Sequence, residues 1–423
     1  MAKIIVAAPP VPGEVAPLLQ IARGLTARGH QVTVLTGSGF RSAVKQAGLT
    51  FASLAGAADY DARQIASAPE RTSLPPGPAQ LNHDWINLFV NAMPDEHAAL
   101  QELLRQDSDQ YLIANTLFLG AWPVRQGAPG LRPRRSVAVS AVPLVLGSDD
   151  TTFFGPAPVE PGEDPKAANR AFAAEFAATI RPVDDRAREV LTELGADGSV
   201  PTFTDAIYGI GDETAVLTVP GFEFERSDLP DTIHLVGIPP IPATADWQAP
   251  AWWGDLDGSR PVVVVTQGTL ANDDLSQLIE PTLTGLADLD VTVVAALGRD
   301  PEALSVPVPA NARVAEFIPF GALLPKADVF VTNGGSGGVH QALAAGMPAV
   351  VAGETEDKPF NAARVAYHRL GVDLHTATPT PEAVAGAVES VLKDEEVREN
   401  VRRLAKVYAQ LDAIDAIERL LLG

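Results

Sequence analysis

The sequence predicts an α/β protein made of two parallel-sheet halves, and three features carry that prediction. Short, unbroken apolar runs alternate with segments of helical periodicity. The alternation stops in a proline-rich stretch and restarts at Val262–Thr266. A strand-like run at Val329–Thr332 feeds directly into a glycine-rich turn and a helix. Strands buried on both faces read as continuous apolar runs, so parallel sheets covered by helices are expected.

The first strand spans residues 3–8, and a stiff turn follows at Pro9-Pro10-Val11-Pro12-Gly13. Val15, Leu18, Leu19, Ala22 and Leu25 then fall on one helical face, which Gly29 ends. With the strand Gln31–Thr36 this completes a strand–helix–strand unit of the parallel, Rossmann-like type. Residues 81–106 read as a helix rich in large apolar groups, among them Trp85, Phe89 and Met93. Tyr111–Asn115 and residues 136–142 read as strands, 148–165 as loop and 166–194 as one helix. Prolines recur through 219–260 with Gly221, Gly237 and Gly254 between them, the composition of a linker. Beyond it, residues 291–297, 313–317 and 349–352 are further strands, and 395–422 is a helix. The expected division is 1–218, a linker at 219–260, and 261–404, with 405–423 packing back on the first half. A ligand is expected at the strand carboxyl ends, in a cleft that the two halves face and that hinge motion at the linker closes.

The chain has 423 residues, 31 basic and 53 acidic, for a net charge of −22. Such a charge argues against nucleic-acid and anionic-membrane partners, which need a basic face. There is no cysteine, hence no disulfide framework and no thiol nucleophile. No window approaches the roughly 18 apolar residues of a membrane span, and no secretory leader is legible. A cytoplasmic protein is the expectation.

The sharpest local signal is the turn Asn333-Gly334-Gly335-Ser336-Gly337-Gly338, between a strand and a helix. Glycines let the backbone approach a ligand, and a helix start offers unpaired amides and about half a positive charge. A diphosphate therefore fits there without a lysine cluster. The following strand ends in Gly353-Glu-Thr-Glu-Asp357-Lys358, where acids could meet sugar hydroxyls or simply stabilise a helix start.

These residues resemble a family. Inverting nucleotide-sugar glycosyltransferases of the GT-B fold, glycosyltransferase family 1-like in its bacterial macrolide and natural-product branch, carry His-Gly-Gly-x-x-[Thr/Ser]-x-x-Glu-Ala-Leu-x-x-Gly-x-Pro, then Asp-Gln and Asn-Ala. Here the matching run is Asn333-Gly-Gly-Ser-Gly-Gly-Val-His-Gln341-Ala-Leu-Ala-Ala-Gly-Met-Pro348, then Asp357-Lys358-Pro-Phe-Asn361-Ala362. Upstream, Phe317-Ile318 looks like the segment that holds the nucleobase, and Gln267-Gly268-Thr269 like the loop closing on the donor phosphates. The resemblance implies a donor site of these residues together with Asn333, Gly334, Gly335, Ser336, Gly337, Gly338 and Gln341, with Asp357 and Lys358 meeting the sugar. It implies a UDP- or dTDP-sugar co-substrate, no metal, no cofactor, and a state compatible with a homodimer. Asn333 stands where the family has histidine, Gln341 where it has glutamate, and Lys358 where it has glutamine.

The family's first loop reads Gly-His-x-x-Pro, and its histidine deprotonates the acceptor. The matching run is Gly13-Glu14-Val15-Ala16-Pro17, so Glu14 holds the base position, as a carboxylate does in a related branch with Gly-Asp-Val-x-Pro. A carboxylate can take a hydroxyl proton as the oxygen attacks the anomeric carbon. A glutamate in a first helical turn also stabilises the helix without further role. The family's orienting aspartate corresponds to Asn115. Asp149, in the loop after residue 147, is the remaining acid expected near the acceptor, and a turn role would equally explain it. Trp85, Phe89 and Phe153, with Asn115, are expected to line a pocket for an apolar, hydroxylated small molecule, although core packing explains an aromatic stripe equally well. Asp255-Leu-Asp257 and Asp288-Leu-Asp290 read as loop acids rather than a metal motif. Two other readings stay open: a nucleotide-sugar epimerase of the same fold, and a non-catalytic homologue acting as a partner protein.

Overall fold

The computed structural model describes residues 1–75, 77–197, 201–241, 247–268 and 273–423. The chain separates into two units: Met1–Leu217 with Glu225–Pro239 and Asp412–Gly423, and Thr218–Phe224 with Pro240–Leu411.

The first unit is built on a seven-stranded sheet of order β3-β2-β1-β4-β5-β6-β7. Its strands are β1 (Lys3–Ala7), β2 (Gln31–Thr36), β3 (Thr50–Ser53), β4 (Tyr111–Asn115), β5 (Ser136–Ser140), β6 (Glu213–Val216) and β7 (Ile233–Leu235). All neighbours pair in parallel. The helix Pro12–Ala27 returns over the sheet with Val15, Leu18, Ile21, Ala22 and Leu25 buried against Val6, Val34 and Ile113. The last helix, Ala413–Leu422, joins the same core through Ile414, Ile417 and Leu421. It comes so close that a Cβ on Gly24 would stand 2.9 Å from Ile414 Cγ1. Arg28 ties it down through Asp412, Asp415 and Glu418.

The second unit carries a six-stranded parallel sheet of order β10-β9-β8-β11-β12-β13. Its strands are β8 (Val262–Thr266), β9 (Thr292–Ala296), β10 (Ala312–Ala315), β11 (Val329–Thr332), β12 (Ala349–Val351) and β13 (Gly371–Asp373). Strand order reverses between β1 and β4 in one sheet and between β8 and β11 in the other. At such reversals neighbouring loops leave in opposite directions and open a crevice at the strand carboxyl ends.

Several sequence expectations need correction. The stretch 219–260 is not one connector: residues 218–224 belong to the second unit, 225–239 to the first, and 240–260 to the second again. It even contributes β7, which pairs with β6. Only residues 412–423 of the expected 405–423 return to the first unit. Residues 395–422 form two helices, Glu395–Tyr408 and Ala413–Leu422, because Asp412 caps a fresh start by accepting from the Asp415 N–H. Residues 166–194 are likewise broken at Ile180, where Pro182 opens the second helix, Arg181–Glu193. The expected helix 81–106 is Pro78–Trp85, a π-helical turn at Ile86–Val90, and Met93–Gln106.

Among the described residues, no helix is long and apolar enough to cross a membrane.

Candidate active site

Glu14 lies in the first turn of the helix after β1 and is buried, with 7% of its surface exposed. Beside it, at the end of β4, Asn115 is fully buried and its Nδ2 donates to Glu14 Oε2 at 2.5 Å. The two positions expected from the sequence to share a role therefore meet across the strand-order reversal of the first sheet. Asn115 is itself fixed: its Oδ1 accepts the Leu117 N–H at 2.8 Å, and Nδ2 also reaches the Val139 carbonyl at 3.3 Å.

Near this pair lies a polar group the sequence did not reveal. Burial and the charges of Glu96 and Glu14 push the Tyr60 phenol well above its ordinary range. Burial also raises the Glu96 carboxyl to about 8, although the Gly120 and Leu119 amides favour its charged form. Its Oε2 accepts the Gly120 N–H at 2.9 Å. No local pattern distinguishes Glu96 from the exposed acids of a first helical turn; only the packing of Gly120 against its backbone buries it.

A glutamate with a folded pKa above its unfolded value stabilises the fold fully below the unfolded pKa and loses that contribution as pH rises through the folded one. The window here is pH 4.5 to about 8. Thermal melts should show wild type losing stability between about pH 5 and 8, with Glu96→Gln flattening the loss by up to about 4 kcal/mol. Parallel melting curves for the two proteins across that range would contradict this.

Asp149 is directed elsewhere. Its carboxylate pairs with Arg170 at 2.8 Å, while its own N–H donates to Asp228. The turn role that the sequence also allowed for Asp149 is thus present, as a local, half-exposed ion pair. Trp85 packs on Phe203 at 5.2 Å and on Phe176 at 6.4 Å between ring centroids. Phe153 is buried against Phe172 and Phe176. Phe89 is buried in the π-helical turn. The stripe is thus largely a packed aromatic cluster of the first unit, and Phe154, 47% exposed, is its open edge.

In the second unit the turn after β11 leads into the helix Ser336–Ala344. Gly334 takes φ +94°, a backbone conformation that only glycine adopts without strain. The Ser336 N–H and Oγ both donate to Asp357 Oδ2, at 2.9 and 2.6 Å. Asn361 Nδ2 clamps the turn through the Gly334 carbonyl at 2.8 Å and Ser336 Oγ at 2.9 Å. Among the described residues, nothing accepts the N–H of Gly337 or Gly338. A Cβ built on Gly335 or Gly337 would meet nothing within 4 Å, so the helix start faces open space. The resulting feature is a rigid turn with two aligned, unspent amide donors.

The other expected donor residues divide. Asn333 Nδ2 donates to the Gln267 carbonyl at 2.5 Å across the reversal between β8 and β11, which uses one of its two N–H groups. The Gln267 side chain is buried and structural: Oε1 accepts from Leu278 and Ile279, and Nε2 donates to Asp274. Gly268 is exposed at φ +76°. Thr269 lies outside the described residues. Phe317 is 64% exposed, whereas Ile318 is core at 2%. Gln341 is half-buried on the same helix as the turn. Asp357 caps that helix with Oδ2, and among the described residues nothing bonds its Oδ1. Lys358 is buried and folds back onto Thr355 and Glu356. What sequence reasoning missed is that Asp357, Asn361 and Arg364 work together; their spacing of four and three residues, one helical face, is the signal that could have found them.

Arg364 underpins the turn from behind. Nε and Nη2 donate to Glu223 Oε2 at 2.9 and 2.8 Å, Nη1 to the Phe360 carbonyl, and the guanidinium lies over Phe224. His340, on the turn's helix, meets the Tyr408 hydroxyl at 2.5 Å, and burial lowers it to about 3, so it is neutral.

Two Rossmann-like units, one with a buried carboxylate at its strand reversal and one with an open-amide turn at its own, define a GT-B type transferase. The family described as Erythromycin biosynthesis protein CIII-like, C-terminal domain, matches residues 280–412. The chain is 35% identical over 427 residues to UDP-glycosyltransferase 2 of Phaeomoniella chlamydospora, covering 98% of this chain and 94% of that protein. It is 35% identical over 441 residues to the 4'-demethylrebeccamycin synthase of Lentzea aerocolonigenes, covering 99% of each. Among solved structures, the glycotransferase of kitacinnamycin shares the fold, with TM-score 0.74 and 23% identity over 99% of each chain. The chain belongs to the family 1-like GT-B glycosyltransferases and is a sugar-transferring enzyme.

Proposed function

We propose that this enzyme transfers a hexose from a UDP- or dTDP-sugar to a hydroxyl of an apolar small molecule, with inversion at the anomeric carbon, in the cytoplasm. The observation that carries the reading is the pair of unspent amides at Gly337 and Gly338 on an open helix start. A diphosphate placed there accepts two charge-assisted bonds and sits at the positive end of a helix. The same amides stabilise the charge that grows on the leaving phosphate oxygen, so no metal is required by this reading. Phe317 offers an exposed ring face to a nucleobase, and Asp357 Oδ1 and Gln341 remain for hydroxyls. The acceptor is the charge of the first unit, where Glu14 takes the hydroxyl proton.

A panel of UDP- and dTDP-sugars with phenolic and macrolide hydroxyl acceptors, run with EDTA present, tests this. Nucleotide diphosphate released only with acceptor supports transfer. A new sugar isomer without release would favour an epimerase, and no turnover with any pair would favour a non-catalytic role.

Replacing Gly337 with aspartate separates binding from folding. An acid in a first helical turn is favourable, so the melting temperature should hold. The new carboxylate would meet the diphosphate, and UDP affinity by calorimetry should fall at least about tenfold. Unchanged UDP affinity would place the diphosphate elsewhere.

A further inference from the structure

We propose that Arg364, held by Glu223, is a positioning residue of the donor site: the buried pair fixes the helix that clamps the glycine turn, and is kept for diphosphate affinity rather than for stability. The inference rests on the reading of that turn as the diphosphate site and adds what holds it in shape.

The Arg364 guanidinium has one position. Its side chain is 0% exposed and that of Glu223 is 3% exposed. Nε and Nη2 converge on Glu223 Oε2, Nη1 is taken by the Phe360 carbonyl at 2.9 Å, and the guanidinium carbon stands 4.5 Å from the centre of the Phe224 ring. Burying two charges offsets much of their mutual attraction, so an apolar pair of similar volume would hold the fold about as well. An apolar pair has no preferred direction, however, whereas a planar fork of donors accepts its partner in one geometry only.

What this geometry fixes is the helix Lys358–Tyr367 and the residue that caps it, Asp357. Asp357, Asn361 and Arg364 are four and three residues apart and share a face. At one end of that face Asp357 Oδ2 accepts from the Ser336 N–H and Oγ, and Asn361 Nδ2 donates to the Gly334 carbonyl and Ser336 Oγ. At the other end stands Glu223. A slip of the helix by a fraction of an ångström would take those turn bonds out of hydrogen-bond range and change where the Gly337 and Gly338 amides point.

The neighbours of Glu223 act on the same two helices. Phe222 packs on His340, with ring centroids 4.7 Å apart, and His340 lies on the helix that starts at the turn. Phe224 meets Tyr367 at 5.2 Å and His368 at 5.9 Å, at the end of the clamping helix. Three consecutive residues thus grip both helices that shape the anion site, and the segment Thr218–Phe224 counts with the second unit for that reason.

The test uses the full chain, with the double variant Glu223→Leu/Arg364→Met and the single variant Arg364→Lys. In the double variant the melting temperature should stay near that of wild type, while UDP affinity by calorimetry falls about tenfold. Donor KM should rise in proportion, with kcat at saturating donor and acceptor KM nearly unchanged, a split that a general loss of structure would not give. Arg364→Lys keeps the charge and loses the fork, and should weaken UDP binding in the same way. A folded double variant that binds UDP within about twofold of wild type would make the pair a brace alone and overturn the proposal. Should the double variant not fold, Arg364→Lys decides: unchanged UDP affinity overturns it. Unchanged affinity in Gly337→Asp would instead remove the donor site on which the proposal rests.

Discussion

Glu14→Gln should lower kcat by about 10²–10⁴-fold while UDP binding persists. Glutamine keeps the size of the side chain and can still accept the Asn115 N–H through its carbonyl oxygen. The change therefore removes proton-accepting power with little disturbance of packing. The residue is buried in the first turn of a helix whose other face holds the core of the first unit. A truncation to alanine would confuse loss of base with loss of structure, which is why the amide is the cleaner probe. On the proposed reading the donor binds at the second unit's turn, and calorimetry with UDP should report the same affinity in both proteins. Retained turnover would show that Glu14 is only a helix-stabilising acid. Lost UDP binding would show that the effect is global.

The second large effect concerns stability. Glu223→Ala removes the carboxylate with which the buried Arg364 guanidinium pairs, in a place where both side chains are essentially inaccessible to water. Removing one partner of such a pair costs about 3–5 kcal/mol. At about 2–4 °C per kcal/mol for a unit of this size, the melting temperature should fall on the order of 10 °C. Replacing both partners by Leu and Met of similar volume should recover most of the loss, since desolvating two charges offsets much of their attraction. A fall of under about 2 °C for the single variant would mean that the pair is not the anchor the geometry suggests. The pair sits directly behind the donor turn: Arg364 shares a helix with Asn361, which clamps Gly334 and Ser336. Loss of Glu223 should therefore also weaken UDP binding, although Glu223 lies far in sequence from the turn.

The two sheets repeat one device. In each, an asparagine at or just beyond the end of the strand past the order reversal bonds across to the segment that follows the neighbouring strand, Asn115 to Glu14 and Asn333 to the Gln267 carbonyl. In the first unit the bond holds a buried carboxylate; in the second it braces a loop. This difference was not legible locally. The bond from Asn333 to the Gln267 carbonyl, and the Gln267 side chain accepting from Leu278 and Ile279, join residues too far apart in the chain to be read from spacing.

The sequence by itself determined the α/β class, most of the long strands, the family resemblance and the glycine turn, because these depend on local composition and spacing. Runs such as Val262–Thr266 are apolar on both faces and permit little else than a buried strand. The tertiary structure alone decided four short strands, Thr50–Ser53, Glu213–Val216, Ile233–Leu235 and Gly371–Asp373, which have too few apolar residues to announce themselves and form by pairing with an existing sheet. It alone decided that 219–260 is threaded through both units, that Lys358 is buried and bonded to Thr355 and Glu356, and that Glu96 is buried. Burial and hydrogen-bond partnership arise between residues distant in the chain, so a charge reads the same in sequence whether water or a packed core surrounds it.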